Sequence, residues 1–282
     1  MSLFGIINSG LCNFVYLIKS NHTFKNKIRI IFTWLRINLK FLLFAKLFKL
    51  KQERIFGYKI SFFDYSSFIY LFGEIFYKNE YYFNSKNKKP IIFDCGSNIG
   101  FATMFFKWLY PESEIYAFEP DKITFEILKK NVLQNKLKNV YLFNNAISDK
   151  NGEIDFFVDL KSPGSLLMST KQERMQKEKT TVNCIALSSL IKEKKIPQID
   201  FVKMDIEGSE TEAIQDLDKN NQLNKIIKFV IEYHHNIGNH KSSLSEFLQI
   251  FEKNGFEYQI DARNIPINDE NTFQDVLLYL YK

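Results

Sequence analysis

Five carboxylates and one imidazole stand where an apolar run gives way to a polar turn: Asp94, Glu119, Asp205, Glu207, Glu232 and His234. The first run, Pro90-Ile-Ile-Phe-Asp94, leads into Cys-Gly-Ser-Asn-Ile-Gly100. Glycine lets backbone approach a small ligand closely, and an acid ending the next strand can hold ribose hydroxyls. Asp94, Gly96, Asn98 and Gly100 therefore line a candidate nucleoside-cofactor loop, with Glu119 as the ribose candidate. A dinucleotide loop reads G-x-G-x-x-G, and its middle glycine is missing here. Asp94 also sets a negative charge where a pyrophosphate would sit. An acid there suits a cationic ligand, such as an amino-acid ammonium group.

Three further strand exits carry chemistry. Asn145, Ala146 and Ile147, with Ser148, can border an adenine by stacking and edge hydrogen bonds, although a plain loop fits this stretch equally well. Asp205 and Glu207 are two apart and share a face if the strand persists. Glu210 opens a helix, where a carboxylate suits the N-terminal dipole. Glu232 and His234 are likewise two apart, and a histidine neutral near pH 7 can take a hydroxyl proton. Asp205, Glu232 and His234 are the candidate catalytic residues. No metal ligand is assigned, because the four histidines show no metal-ligand spacing.

These residues need a frame. Strands are expected at 91–94, 114–119, 140–144, 201–205 and 227–232, and helices at 99–109, 122–135, 210–217 and 244–254. This alternation predicts an α/β fold with a parallel sheet covered on both faces. A two-stranded insert at 153–158 and 180–185 flanks a polar stretch, 163–179. Two last strands, 257–261 and 274–281, read as a hairpin that gives the sheet an antiparallel edge. Residues 61–89 form an aromatic lead-in and 90–282 the core of the domain, with residues 1–60 a helical extension.

Charge divides the same way. Residues 1–60 hold eleven Lys/Arg and one acid, Glu53, while the remaining residues sum to −4. A mildly acidic body argues against a nucleic-acid groove. The three cysteines form no framework, so a reducing compartment is expected. Residues 1–18 lack the basic start of a signal peptide, and their apolar run is broken by Asn8, Ser9, Gly10 and Asn13. Arg29, Arg36 and Lys40 fall on one stripe of a helix. That helix either packs on the domain with a solvated basic edge or lies on an anionic membrane surface.

Taken in order, Asp94-x-Gly-x-Asn-x-Gly100, Phe118-Glu-Pro120, Asn145-Ala-Ile-Ser-Asp149, Lys203-x-Asp-x-Glu-Gly-x-Glu210 and Glu232-x-His234 resemble the FkbM family of S-adenosylmethionine-dependent methyltransferases. The resemblance covers roughly residues 70–282, with Glu80-Tyr81 and Gly164-Ser165-Leu166 included. It implies a Rossmann-like class I methyltransferase fold with a mostly parallel seven-stranded sheet. It implies S-adenosyl-L-methionine as cofactor and methyl transfer to a hydroxyl of a sugar, glycan or related metabolite. Carried over, Asp94, Gly96 and Asn98 line the methionine part, Glu119 holds the ribose, and Asn145, Ala146 and Ile147 border the adenine.

Such an enzyme would act in the cytoplasm on a small-molecule or glycan acceptor, with no nucleic-acid partner. Residues 1–60 would be the element that meets a membrane's cytoplasmic face. The base is expected to be His234 or Asp205, with Glu232 orienting the histidine or the acceptor. Residues 61–85 and 160–180 are candidate acceptor lids, although aromatics at 61–85 also suit a core. A nicotinamide-dependent sugar oxidoreductase or epimerase would use the same sheet. A non-catalytic membrane scaffold would also explain the basic extension. The sequence sets no oligomeric state.

Overall fold

A computed structural model describes residues 14–15, 17–45, 48–158, 178–235, 237, 243–262 and 274–282. Most of the 160–180 stretch, with Gly164-Ser165-Leu166, lies outside the described residues, as do residues 1–13.

Helix α1 (Phe24–Lys40) is capped by Thr23, whose hydroxyl accepts from the Asn26 N–H at 3.3 Å. It widens into a π turn over Phe41–Ala45. A hairpin of β1 (Gln52–Ile55) and β2 (Tyr58–Ser61) follows, which was not anticipated from the sequence. Next come α2 (Tyr65–Phe72), capped by Asp64, and β3 (Ile91–Cys95). The alternation continues through α3 (Phe101–Leu109), β4 (Glu114–Phe118), α4 (Lys122–Gln134) and β5 (Val140–Phe143). A small sheet of β6 (Ala146–Ser148), β7 (Gly152–Val158) and β8 (Glu178–Ala186) interrupts it. Then follow α5 (Leu187–Glu193), β9 (Phe201–Met204), α6 (Glu210–Lys219) and β10 (Lys228–His235). The chain closes with α7 (Leu244–Lys253), β11 (Glu257–Ala262) and β12 (Gln274–Tyr281).

Seven strands form the main sheet in the order β11-β12-β10-β9-β3-β4-β5. Only β12 is reversed, antiparallel to both β10 and β11. The reversed strand therefore lies inside the sheet, one place in from the expected edge. Its burial explains this: Val276, Leu278 and Leu280 alternate into the core.

Both faces of the sheet are covered, so successive residues of a strand serve different cores. Ile92, Ile115, Ala117, Phe201 and Val230 pack on one side with α1–α4. Phe93, Tyr116, Phe118, Val202, Phe229 and Ile231 pack on the other with α5–α7. Ile30, Trp34 and Ile37 of α1 share the first core with Phe68, Phe72 and Phe76. A division at residue 60 thus cuts β2 and a continuous core. Most aromatics of 61–85 are core residues, as Phe62, Phe68, Phe72 and Phe76 are buried.

Polar side chains fix the hairpin in place. Asn131 of α4 accepts from Ser61 N–H at 2.7 Å and donates to the carbonyls of Ser61 and Ile99. Glu53 of β1 is buried and meets Arg36 at 2.9 Å and Lys40 at 2.7 Å, while the Tyr65 hydroxyl donates to it at 2.8 Å. Burial disfavours its charge, but Lys40, Arg36, the Arg54 N–H and Tyr65 outweigh that and hold its pKa at about 2.

A depressed carboxylate pKa adds stability that is present above its unfolded value and lost as pH falls through the folded one. The Glu53 contribution should be complete above pH about 4.5 and gone near pH 2. Removing one partner of a buried pair costs about 3–5 kcal/mol and of an exposed pair under about 1 kcal/mol. With Arg36 about half exposed, Glu53→Gln should lose about 2–3 kcal/mol in urea unfolding at pH 7, and little at pH 2.5. An equal loss at both pH values would refute this role.

Candidate active site

The exits of β3, β4, β9 and β10 meet at one edge. Asp205 N–H donates to the Cys95 carbonyl at 3.1 Å, which ties the exit of β9 to that of β3. The β3 loop turns back on β4, where Gly96 and Ser97 N–H groups donate to the Phe118 carbonyl. Gly96 has φ +76°, and a Cβ there would lie 1.8 Å from the Asp205 carbonyl oxygen. Gly100, at φ +84°, opens α3, and a Cβ there would lie 2.6 Å from the Leu128 side chain. Both glycines therefore permit close approach within the protein. The cofactor-lining role assigned to them from sequence is an indirect one: they bring the loop down.

Asn98 has φ +48°, a left-handed conformation that asparagine tolerates. Its N–H donates to Glu119 Oε2 at 2.9 Å, and Asp121 N–H donates to Glu119 Oε1 at 2.9 Å. Burial, opposed by those donors and by Lys203, pushes the Glu119 pKa to about 8. A carboxylate offers about four acceptor positions, so Glu119 keeps capacity for hydroxyl donors.

Asp94 is fully buried, and Thr103 Oγ1 donates to its Oδ2 at 2.5 Å. Its Oδ1 is buried with no hydrogen-bond partner among the described residues. Burial raises the Asp94 pKa, with Lys203 and the hydroxyl donors pulling it back. A buried acceptor of this kind is costly unless a ligand meets it. An ammonium group fits that need, as the sequence suggested. Of the three adenine candidates, Ala146 and Ile147 are buried in β6, and Ile147 belongs to the core with Phe93 and Phe118. Asn145 alone has a partly open side chain.

Lys203 organises this edge, and its role was not read from the sequence. Its ammonium is buried and donates to the carbonyls of Cys95 at 3.2 Å and Gly96 at 2.6 Å. It also lies 3.4 Å from Asp205 Oδ2 and 5.4 Å from the centre of the Tyr81 ring. Burial disfavours its charge, but Asp205, Asp94 and Glu232 more than restore it. A lysine inside a strand run offers no sequence signal for this placement.

Beside it, Asp205, Glu207, Glu210, Glu232 and Asp275 surround His234. Glu210 Oε1 lies 2.8 Å from Nδ1, and Glu207 Oε2 lies 3.2 Å from Nε2. Asp205 and Asp275 approach Nε2 at 3.9 and 3.8 Å. Asp275 comes from β12, whose register sets it opposite His234. Glu207 adopts φ +56°, unusual for a non-glycine residue, which turns its side chain back to the cluster. Glu80 and Tyr81 border the acids, and burial, Glu74 and Glu232 push the Glu80 pKa to about 10. Burial and then Asp205 raise Glu232 to about 8.

Burial alone would lower the His234 pKa. The carboxylates of Glu210, Glu207 and Asp205 outweigh it and raise the value to about 10. This corrects the expectation of a neutral imidazole at pH 7. A charged imidazole cannot accept the acceptor's proton. The same cluster can hold a cation. The ligand atoms of Asp205, Glu207 and His234 lie within 4.8 Å of one another, as do those of Glu232, His234 and Asp275. A mixed oxygen and imidazole set suits a divalent ion, and Glu210 on Nδ1 matches the support given to metal-bound histidines. That donor set joins the ends of β9 and β10 to the start of β12, which is why no sequence spacing betrayed it.

Two outcomes follow. Gly96→Ala should cost at least about 2 kcal/mol in chemical unfolding, because both backbone conformation and space oppose it; a neutral effect would refute the close approach. In cation-free protein, the His234 imidazole should stay doubly protonated in nitrogen NMR at pH 7. Its raised pKa adds stability that is full below pH about 6.5 and lost as pH rises through about 10. A neutral ring at pH 7 would overturn this assignment.

Comparisons with known proteins place the chain in a family. The family described as "Methyltransferase FkbM domain" matches residues 94–258. Methyltransferase sdnD of Sordaria araneosa is 27% identical over 198 residues, covering 60% of this chain and 75% of that protein. The 2-O-methyltransferase NoeI of Sinorhizobium fredii is 28% identical, covering 44% and 56%. The hexuronic acid methyltransferase AglP of Haloferax volcanii is 24% identical, covering 51% and 56%. The chain thus spans little more than half the length of the last two. A solved FkbM methyltransferase from Methylobacillus flagellatus shares 16% identity with a TM-score of 0.47, covering 96% of this chain and 58% of that one. The match runs from the acid ending β3 to β11, so it takes in every strand exit described above, and it removes the nicotinamide reading: the chain belongs to the FkbM methyltransferase family.

Proposed function

We propose that the protein moves a methyl group from S-adenosyl-L-methionine to a hydroxyl oxygen of a sugar, glycan or related metabolite. The observation that carries the cofactor reading is the buried Asp94 Oδ1, open for a donor beneath the loop that Glu119 supports. Asp94 would receive the amino group of the methionine part, directly or through water. Asn98 and the loop after β3 would flank it, and Glu119 would take the ribose hydroxyls. Asn145, with Ala146 and Ile147 behind it, would border the adenine. The acceptor class is supported by the names of the relatives NoeI and AglP, which describe a 2-O-methyltransferase and a hexuronic acid methyltransferase.

The sulfonium supplies the reactive methyl. The chain's own residues must orient the acceptor and remove its proton. Transfer of that methyl from sulfur to oxygen would leave the hydroxyl proton to a protein base. Asp205 fits that task best. Its side chain is a quarter exposed, at the β9 exit beside the cofactor loop. Lys203 holds it from one side. Glu232 and the charged His234 would position it and the acceptor.

Calorimetric titration with S-adenosylhomocysteine tests the cofactor reading. Wild type should bind at micromolar level, and Asp94→Asn should bind about 10–100-fold more weakly, the scale of one charged hydrogen bond. Folded wild type that fails to bind would sink the proposal. Asp205→Asn should keep that binding while losing about 10²–10⁴-fold in turnover on a uronic acid or sugar acceptor with a free hydroxyl. Near-normal turnover would move the base elsewhere.

A further inference from the structure

Helix α1 has two apolar faces. Ile30, Trp34 and Ile37 are buried against the domain. On the other side Phe24, Ile28, Phe32, Leu35 and Leu39 are exposed, with Phe24 at 79% and Phe32 at 68%. At about 100° per residue these five lie within roughly 80° of arc, opposite the buried stripe. Past the helix Leu43, Phe44 and Phe48 are exposed as well, as are Phe14, Val15 and Ile18 before it. Eleven of the sixteen exposed large apolar side chains of the described residues thus fall between positions 14 and 48. Scattered exposure is ordinary, whereas a contiguous ridge of this size marks a surface that is covered in use.

Charge decides what covers it. Residues 1–60 carry a net +10. Their single acid, Glu53, is buried and neutralised by Arg36 and Lys40. The exposed charges of this segment are therefore cationic, among them Lys19, Lys25, Arg29, Lys49 and Lys51. A second copy of the chain would bring like charge against like charge. An anionic bilayer supplies both the apolar phase and the opposite charge, with lysine stems reaching to the headgroups. Depth is limited, because no helix among the described residues is long and apolar enough to cross a membrane.

We propose that this face of α1, continued through Phe48, is an interfacial membrane-docking surface for anionic lipid, with the helix lying in the plane of the bilayer. On this proposal the two placements set out from sequence, packed on the domain and lying on an anionic membrane, belong to opposite faces of α1.

Flotation of the full chain with vesicles tests it, using phosphatidylcholine alone or phosphatidylcholine with phosphatidylglycerol. The protein should float with the anionic vesicles and not with the neutral ones, and added salt should weaken binding. The triple variant Phe24→Ser, Phe32→Ser, Leu39→Ser should lose at least about tenfold in vesicle binding. It should keep the wild-type unfolding midpoint and S-adenosylhomocysteine binding, since these side chains are exposed. Lys25→Glu with Lys49→Glu should weaken binding similarly. Failure of the wild type to float would overturn the proposal, as would undiminished floating by the triple variant. So would a wild-type dimer in sedimentation velocity that the triple variant abolishes while neither protein floats; the ridge would then be a subunit interface.

Discussion

One buried ammonium holds the candidate site together. Lys203 leaves β9 and donates to two carbonyls of the loop after β3, while facing Asp205 and lying near Asp94 and Glu232. A charge in this position is tolerable because oxygen atoms surround it. It fixes the loop at the distance that lets Gly96 rest on the Asp205 backbone. The loop conformation, the aim of Asp94 and the support of Asn98 by Glu119 all depend on that spacing. The two acidic groups of the candidate site, Asp94 on one side and Asp205 with Glu232 on the other, meet across this single lysine.

The cluster around His234 is electrostatically one-sided. Five carboxylates gather there, and among the described residues that imidazole and Lys203 are the cations placed against them. Like charges so close cannot all stay ionised without a counter-charge. A proton on His234, protons on Glu232 and Glu80, or a bound cation can each supply it. In the cation-free protein the charged histidine orders the acids around it. Glu210 anchors this arrangement from the first turn of α6, where it also accepts from the Gly208 N–H.

The N-terminal segment is built into the domain and reaches towards the site. His22, just before α1, bonds Asn79 and packs on Tyr82 and Trp108. Glu80 and Tyr81, which border the acids, lie between those contacts. The inner face of α1 joins the core that supports α2 and α3, and Glu53 locks the hairpin to α1 through Arg36 and Lys40. One helix therefore has a structural face and a surface face, joined through a short chain segment to the rim of the site.

The sequence alone determined the alternation of strands and helices, and with it the sheet and the identity of the strand-end acids. Those features are local. Continuous apolar runs, glycine turns and strand-ending polar residues are written in neighbouring positions, so Asp94, Glu119, Asp205, Glu232 and His234 could be named in advance. Residues 146–148 and 187–193 were not resolved as strand and helix, because short segments carry too little periodicity to separate them from a loop. The hairpin at 52–61 was missed for the same reason. Tertiary structure decided everything that depends on distance across the fold. It placed Lys203 under the loop and Asp275 opposite His234, put the reversed β12 inside the sheet, and turned the two faces of α1 to different surroundings. It also decided the charge of His234. A pKa is set by the charges and burial around a group, and here those come from β9, α6, β10 and β12, whose meeting point no stretch of sequence contains.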